Sequence, residues 1–310
     1  MAWSSLRRWR RGSSESGPAR AVELLTALPR PLPDGWTEAE MQSVMRSFEI
    51  EDSGPGGLVA YADDALWRFL HSWGLVRAEQ GRALELGANP YFITFLLSRF
   101  TDLNLTLANY FGAAGAIDQE LRYTDRDGTE QRAVLHSDLF NMEADRFPYD
   151  DASFDVVLFC EIIEHLLEDP LHALREIRRV LTPGGLLVVT TPNVARLGNA
   201  CSIVAGSNIY DPYSVHGPYG RHNREYTMHE LVLILRFCGF EIERQFTADA
   251  HPEDYTQRLD YGRIAPLVEF RHRDLGQYLF VAVRARTEPQ AGYPSFLYRG
   301  FPADETVPVE

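Results

Sequence analysis

The sequence contains no lysine: all 30 of its basic residues are arginine, against 44 Asp and Glu. The absence of lysine excludes a Walker phosphate loop, whose lysine binds phosphates, and any enzyme that forms a Schiff base through lysine. The formal net charge of −14 argues against a general binder of nucleic acid or of anionic membranes. We therefore expect a partner or substrate other than these polyanions.

Cysteine is scarce, and long apolar runs are missing. Cys160, Cys201 and Cys238 are too far apart for a disulfide framework or a zinc pattern, which fits a reducing cytoplasm. No apolar run is long enough to span a bilayer, and the basic N-terminus lacks the apolar segment of a secretory signal. We interpret this N-terminus as an unstructured basic tail; contact with a membrane surface or RNA is the alternative.

The composition is that of a globular protein, with 45% hydrophobic residues and ample material for a core. We expect a basic tail and linker over 1–34, a helical cap over 35–80, a main domain over 81–285 and an irregular tail over 286–310. In the cap, Thr37 and Glu40 have the spacing of a capping box. Asp63 or Asp64 is expected to cap a second helix. This cap either forms a lid over a site or covers the edge of a sheet.

The main domain is organised around the stretch RALELGANPYFITFLLSRF, residues 82–100. An apolar strand over 83–86 leads into the turn at Gly87, and an apolar helix follows. Asn89 suits the N-cap of this helix, and Pro90 suits its first position. Strand, tight turn and helix form the first unit of a doubly wound sheet, whose ligand binds at the carboxyl edge of the strands.

Six further strands are predicted, over 103–108, 133–136, 154–160, 186–191, 240–247 and 277–285. Helices are expected over 171–181 and from Thr227 to Cys238, the second with a capping box formed by Thr227 and Glu230. Two connections, 194–226 and 250–276, are read as insertions. Strands that alternate with helices in this way predict an α/β fold: a seven-stranded, mostly parallel sheet with helices on both faces.

Three fragments resemble the class I S-adenosylmethionine-dependent methyltransferases when they are taken in order. They are ELGANP, SDLFN and FPYDDASFDVVLFCEIIEHLLEDPLHALREIRRVLTPGGLLVVTTPN. The resemblance covers about 82–193, and HNREYTMHELVLILRFCGFEI extends it to 242. It implies a Rossmann-like methyltransferase fold that binds S-adenosylmethionine.

The resemblance also implies roles for single residues. Glu85, at the tip of the first strand, would contact the amino acid end of the cofactor, and Glu161 would close the methionine side. Asp138 and the backbone of Leu139 would bind the adenine edge; a helix N-cap is the alternative for Asp138. Gly87 allows close approach of the backbone because it has no Cβ.

Two positions depart from the pattern of that family. Asn89 and Pro90 stand where further glycines are usual, and Asn109 stands where an acidic residue usually binds the ribose hydroxyls. An amide can accept one hydrogen bond and donate another, so Asn109 and Asn89 remain candidates for cofactor binding.

A second signal is the ExxEH pattern of Glu161, Glu164 and His165. If the pattern begins a helix, these residues share one face at the carboxyl edge of the sheet. Two carboxylates and an imidazole suit Mg²⁺ or Mn²⁺. ExxEH also resembles the metal site of small-RNA 2′-O-methyltransferases and of some quinone-pathway O-methyltransferases. By the RNA enzymes' pattern, His222 would be the fourth ligand.

Two metal-free alternatives remain open for the same residues. Either His165 or His222 acts as a general base with Glu164 beside it, or the histidines are merely packed. A base and a metal ion both favour methylation of oxygen over methylation of carbon, because each acts on a hydroxyl group.

The first insertion is expected to bind the acceptor. Residues 208–221 are rich in aromatic and polar groups, and long loops of this kind are often functional. Tyr210, Tyr213 and Tyr219 would pack on a sugar or aromatic ring, and Arg221 would hold hydroxyls or a phosphate. A purely structural loop is the alternative. The segment resembles methyltransferases of bacterial polysaccharide and glycoside pathways.

Together these features predict a cytoplasmic O-methyltransferase that acts on a small polar acceptor, most of all a sugar hydroxyl, as a monomer or a homo-oligomer. An RNA 2′-O-methyltransferase is the alternative within the family. A nicotinamide-dependent oxidoreductase would need GxGxxG at the first turn, and GANPYF lacks it. A non-catalytic binding module with the same fold is the remaining alternative.

Overall fold

The computed structural model describes residues 30–51, 53, 56–251 and 263–309. The expectations for the basic N-terminal tail up to residue 29, and for residues 252–262 of the second insertion, lie outside the described residues. Among the described residues, no helix is long and apolar enough to cross a membrane.

One nine-stranded sheet forms the centre of the described chain. Its strands are β1 (Glu49–Ile50), β2 (Gln80–Leu86), β3 (Asp102–Asn109), β4 (Gly115–Thr124), β5 (Glu130–Leu139), β6 (Phe154–Cys160), β7 (Leu181–Pro192), β8 (Phe240–Ala248) and β9 (Tyr278–Ala285). They lie in the order β1-β4-β5-β3-β2-β6-β7-β9-β8. The five strands from β5 to β7 are parallel, and the outer strands are antiparallel. The prediction of a mostly parallel Rossmann-like sheet is confirmed.

The sheet has two strands more than the seven predicted, although all seven predicted strands are present. The additional β4 forms an antiparallel hairpin with β5, and the two-residue β1 pairs with β4 at the sheet edge. Most residues of β4 are exposed or half-buried, so the strand carries no apolar pattern that the sequence could reveal. In the C-terminal stretch, β10 (Tyr293–Pro294) and β11 (Thr306–Val307) form a separate parallel pair.

Seven helices accompany the strands in the described part of the chain. They are α1 (Glu38–Arg46), α2 (Val59–Val76), α3 (Phe92–Phe100), α4 (Pro170–Val180), α5 (Leu197–Val204), α6 (Met228–Phe237) and α7 (Ala265–Val268). Both predicted capping boxes are present, at Thr37 and at Thr227. Helix α5 lies inside the segment read as an insertion, where the spacing of Leu197 and Cys201 buries one face of it.

Two predicted helix starts are wrong. Helix α3 begins at Phe92, because Tyr91 has a left-handed backbone with φ of 72°. Asn89 therefore does not cap the helix, and Pro90 is not its first residue. Helix α2 begins at Val59, so Asp63 and Asp64 lie within its first turns and do not cap it.

Helices cover both faces of the sheet. Successive residues of β6 alternate between two apolar clusters: Val157 and Phe159 face α4 and α6, whereas Val156 and Leu158 face α1, α2 and α3. Burial on both faces explains why β6 is a continuous apolar run. The N-terminal helices thus pack against a full face of the sheet, and β1 extends its edge.

Candidate functional site

The carboxyl ends of the central parallel strands open into a cavity of about 310 Å³, which we call the first cavity. It lies where a doubly wound sheet binds its ligand. It is lined by residues that follow β2, β3, β5 and β6, together with one residue of the long connection after β7: Gly87, Asn89, Asn109, Tyr110, Phe111, Asn141, Met142, Glu161, Ile162, His165, Leu166 and Tyr219. Four of the predicted cofactor residues, Gly87, Asn89, Asn109 and Glu161, are therefore in its wall.

Gly87 is required by the backbone at the end of β2. Its φ is 68°, a left-handed conformation that favours glycine, and a Cβ built there would lie 2.8 Å from Cδ1 of Ile162. Its N–H donates to the carbonyl of Ala108 at 2.8 Å. The turn thus stays close to the neighbouring strand and leaves room in the cavity.

The amide of Asn109 joins the turn to two strands. Its Oδ1 accepts a hydrogen bond from the Asn89 N–H at 2.9 Å, and its Nδ2 donates to Ser137 Oγ at 3.0 Å. One lone pair and one N–H remain for a ligand. The two contacts fix the orientation of the Asn109 amide, because its oxygen accepts and its nitrogen donates.

Asp138 and Leu139 do not line the first cavity. The Asp138 carboxylate accepts a hydrogen bond from the Tyr149 hydroxyl at 2.8 Å, whereas Asn141 and Met142, a few residues further along the chain, do line the cavity. The structure extends β5 through Leu139, so the chain reaches the cavity only after this residue. Asp138 is not a helix N-cap either.

Glu85 lies behind the first cavity, in the wall of a smaller one of about 90 Å³ that shares Gly87, Asn89 and Glu161 with it. The Glu85 side chain is buried and accepts a hydrogen bond from Thr94 Oγ1 at 2.7 Å. Burial raises the pKa of Glu85 to about 8, although the hydrogen bonds from Thr94 lower it. Burial therefore favours the neutral form of the Glu85 carboxyl group.

Arg68 of α2 is the cation of this smaller cavity. Its Nη1 donates to Glu161 Oε2 at 2.9 Å, and its Nη2 contacts the Tyr61 hydroxyl. Glu161 Oε1 also accepts from Thr190 at 2.8 Å. The N-terminal helical segment thus reaches the predicted cofactor site with a charged side chain.

The ExxEH residues do not share a helix face, so the predicted four-ligand metal site is wrong at Glu161. Glu161 has a left-handed backbone with φ of 56°, and only Ile163–His165 form a single 3₁₀ turn. The Glu161 carboxylate pairs with Arg68, and it is not among the ligand atoms that come together around Glu164. The helix predicted from the spacing begins later, at Pro170.

Glu164, His165 and His222 do come together, each with one ligand atom within 4.8 Å of the others. The two imidazole rings cross at 76° with their centroids 5.1 Å apart. His165 Nδ1 donates to the carbonyl of Arg221 at 2.9 Å, which leaves Nε2 directed to Glu164 Oε1 at 3.9 Å. We call these three residues the His–Glu cluster.

The surroundings shift the pKa values of the three residues of the His–Glu cluster in different directions. Burial and the charge of Glu161 raise the pKa of Glu164 above that of an ordinary carboxyl group, while burial and His222 lower the pKa of His165. Burial also acts to lower the pKa of His222. The hydrogen bond with Glu225 and the charge of Glu164 outweigh this, and the net shift is upward.

Another cavity, of about 260 Å³, lies beside His222, and we call it the second cavity. Its walls are Pro192, Arg196, Asp211, His222, Glu225, His251, Gln277 and Tyr278. His222 Nδ1 is 3.0 Å from Glu225 Oε1, and the His222 N–H donates to Asp211 Oδ2 at 3.1 Å. His165 lines the first cavity and His222 the second, so the His–Glu cluster lies between the two.

The residues predicted to bind the acceptor do not line the second cavity. Tyr210 and Tyr213 are exposed, and the Arg221 guanidinium lies 4.8 Å over the Tyr213 ring. Tyr219 lines the first cavity instead, where its hydroxyl donates to Glu143 Oε2 at 3.1 Å. Within the predicted loop 208–221, Asp211 lines the second cavity, and His222 follows the loop directly.

Several residues of the site were missed in the sequence. Tyr110 and Asn141 could have been found, since each follows the end of a strand whose carboxyl edge was predicted. Arg68 and Gln277 carry no local signal, because the fold brings them to the site from distant parts of the chain. Glu225 lies in the HNREYT segment that pointed to His222, but no role was assigned to it there.

Comparison with known families agrees with this geometry. Residues 99–189 match the family model described as a methyltransferase domain. A Mycolicibacterium smegmatis protein described as a "probable S-adenosylmethionine-dependent methyltransferase" is 38% identical over 96 residues, 31% of this chain and 32% of that protein. An uncharacterized 37.1 kDa protein of a Streptomyces fradiae transposon is 29% identical over 159 residues, 50% of this chain and 38% of that protein. The chain thus spans about a third of the length of these curated relatives.

Solved structures show a more distant similarity. An S-adenosylmethionine-dependent methyltransferase from Archaeoglobus fulgidus is 14% identical with a TM-score of 0.43, covering 69% of this chain and 90% of that one. A Burkholderia thailandensis 1,6-didemethyltoxoflavin-N1-methyltransferase with bound S-adenosylhomocysteine is 14% identical with a TM-score of 0.41, covering 74% and 82%.

Proposed function

We propose that the chain is a class I S-adenosylmethionine-dependent methyltransferase that methylates a hydroxyl group of a small polar acceptor, with a sugar hydroxyl as the favoured target. The match of residues 99–189 to a methyltransferase domain supports the family. The observation that supports this most is the place of the His–Glu cluster between two cavities. The first cavity, at the carboxyl edge of the sheet, would hold the cofactor. The second would hold the acceptor.

The residues of this chain would do two things in the reaction. S-adenosylmethionine supplies an electrophilic methyl group, and the transfer needs a nucleophile held in line with it. The walls of the two cavities would hold the two molecules on either side of the imidazoles. His222, oriented by Glu225 through Nδ1, would take the proton of the acceptor hydroxyl at Nε2.

Methyl transfer and cofactor binding together test this function. We expect S-adenosylhomocysteine to bind the protein in calorimetry, and radiolabelled methyl groups to pass to small hydroxylated acceptors. His222→Gln should keep the affinity for S-adenosylhomocysteine, since His222 does not line the first cavity. It should reduce transfer by about 10²-fold or more, as expected for the loss of a general base.

His216→Gln is the matched control, because His216 is exposed and belongs to the same loop but lines neither cavity. It should transfer methyl groups like the unmodified protein. If S-adenosylhomocysteine binds but only nitrogen or carbon acceptors are methylated, O-methylation is wrong. If it does not bind, the proposed use of the first cavity is wrong.

A divalent ion is a second candidate for acting on the hydroxyl, and one buried atom favours it. Glu164 Oε1 has no hydrogen-bond partner among the described residues, and an unpaired buried carboxylate oxygen is costly. Glu164, His165 and His222 would hold the ion, and Mg²⁺ or Mn²⁺ accepts such a mixed set of ligands. When bound, the ion would lower the pKa of the acceptor hydroxyl.

Calorimetric titration of Mn²⁺ into metal-free protein saturated with S-adenosylhomocysteine separates the two routes. Stoichiometric binding that Glu164→Gln removes, and that Glu168→Gln keeps, would support the metal route. Glu168 is an exposed carboxylate of the same segment that lies outside the cluster. An absence of binding would leave His222 as the base.

A further inference from the structure

The second cavity has a chemical character that goes beyond its place beside His222. Resting on the proposed function, we propose that it is the acceptor site, that it takes a single hydroxylated ring that is neutral or carries an ammonium group, and that it rejects anionic rings. Its size, its charges and its hydrogen-bonding groups each support one part of this assignment.

The size of the second cavity favours one ring. Its volume of about 260 Å³ is slightly below the range of roughly 300–1,000 Å³ typical of pockets for drug-sized ligands. A six-membered ring with its substituents suits such a space, whereas a folded nucleic-acid strand does not. The acceptor hydroxyl would meet the His222 imidazole, which forms the wall toward the first cavity.

The charges of the second cavity disfavour an anion. Its described walls hold the carboxylates of Asp211 and Glu225 but only one arginine, Arg196. Arg196 Nη1 is already 2.5 Å from Glu225 Oε2 and donates to the carbonyl of Asn193 at 3.0 Å. With Arg196 paired, no arginine of the described walls is free to compensate a ligand anion, and an uncompensated charge is costly to bury.

Asp211 makes the second cavity attractive for a cation. Among the described residues, His222 is its ion-pair partner within 4.0 Å, with Nδ1 3.7 Å from Asp211 Oδ2, and the charge of Asp211 also acts on His165. No arginine of the described chain lies within 4.0 Å of this carboxylate. A ring that carries an ammonium group near its reactive hydroxyl would therefore find a counter-charge at Asp211.

Gln277 adds a donor that suits a hydroxyl oxygen. Its Oε1 accepts from the Ala250 and His251 N–H groups at 2.9 and 3.2 Å, which fixes the amide. Its buried Nε2 has no partner among the described residues. A hydroxyl group can accept from Gln277 and donate to Asp211, so a polyhydroxylated ring satisfies donors and acceptors that an apolar ring leaves unpaired.

Binding of three sugars that differ in charge tests this proposal. The probes are glucosamine, methyl glucoside and glucuronate, added to the protein saturated with S-adenosylhomocysteine and followed by saturation-transfer NMR titration. We expect glucosamine to bind most tightly, methyl glucoside less tightly and glucuronate least. Asp211→Asn should weaken the affinity for glucosamine about fivefold, which is the scale of a partly exposed ion pair. The affinity for methyl glucoside should change by less than about twofold.

Asp102→Asn is the matched control, since it removes the same charge from an exposed residue at the opposite end of β3. It should leave the order of the three sugars unchanged. Glucuronate binding as tightly as glucosamine, an unchanged glucosamine affinity in Asp211→Asn, or no binding of any sugar to the loaded protein would each overturn the proposal. Failure of S-adenosylhomocysteine to bind would instead overturn the proposed function.

Discussion

The ion pair between Arg68 and Glu161 joins the N-terminal helical segment to the end of β6. Its N–O distance is 2.9 Å, and the side chains are only 8% and 14% exposed. At this distance the attraction is about 6 kcal/mol for an effective dielectric constant of about 20, before the cost of removing both charges from water. That cost offsets much of the attraction, but losing one partner leaves the other charge buried and unpaired.

Arg68→Met keeps much of the side-chain volume and removes the cation. We expect the free energy of unfolding to fall by about 3 kcal/mol, as is usual when one member of a buried pair is removed. Glu161→Gln combined with Arg68→Met should be less damaging than the sum of the two single changes. A coupling energy of about 2 kcal/mol is expected, because the residues are in direct contact.

The pair Arg46–Asp63 provides the control within the same helical segment. It has a comparable N–O distance of 3.2 Å, but its side chains are 50% and 33% exposed. Arg46→Met should cost less than about 1 kcal/mol. Urea unfolding followed by circular dichroism measures all four variants. If Arg68→Met costs no more than Arg46→Met, or if the double variant is additive within about 0.5 kcal/mol, the ion pair does not hold the segment to the sheet.

Two further changes test the interior and the turn. Burial lowers the pKa of His71 from 6.5 to about 4, so the unfolded chain binds a proton that the folded one does not. The free energy of unfolding should therefore be highest above pH 6.5 and fall by up to about 3 kcal/mol toward pH 4. Unfolding measured as a function of pH should show no such decrease from this residue in His71→Phe, and should show it in the exposed control His229→Gln. Gly87→Ala should weaken the binding of S-adenosylhomocysteine about tenfold in calorimetry, because the new Cβ would push Ile162 into the first cavity. The control Gly128→Ala has a similar φ of 84° and no atom within 4 Å of the new Cβ, so it should bind S-adenosylhomocysteine like the unmodified protein.

The central strands could be predicted because each is buried on both faces. Val156 to Phe159 are all fully buried, so every position of this run is apolar and the sequence indicates a central strand. The capping boxes at Thr37 and Thr227 were equally readable, since each depends on two residues three apart. Local chemistry therefore gave the elements and their order.

The contacts across the site could not be read in the same way. Arg68 and Glu161 are 93 residues apart, and His165 and Arg221 are 56 apart, so only the fold brings them together. The strand β4 was invisible because its side chains are largely exposed, which removes the apolar alternation that marks a half-buried strand. Residues whose partners are distant leave no pattern in a single sequence.

The ExxEH segment shows how a change of backbone alters the meaning of a spacing. On a helix, Glu161 and Glu164 would face the same way and would be joint candidates for one metal ion. The left-handed Glu161 ends the strand, and the two carboxylates have different partners. Glu161 pairs with Arg68 beside the first cavity, whereas Glu164 accepts from Thr191 Oγ1 at 2.9 Å beside the histidines. Under the proposed function, we therefore expect the two carboxylates to act in different parts of the reaction, one on the cofactor side and one on the acceptor side. It follows that loss of Glu161 should act mainly on cofactor affinity and loss of Glu164 mainly on methyl transfer.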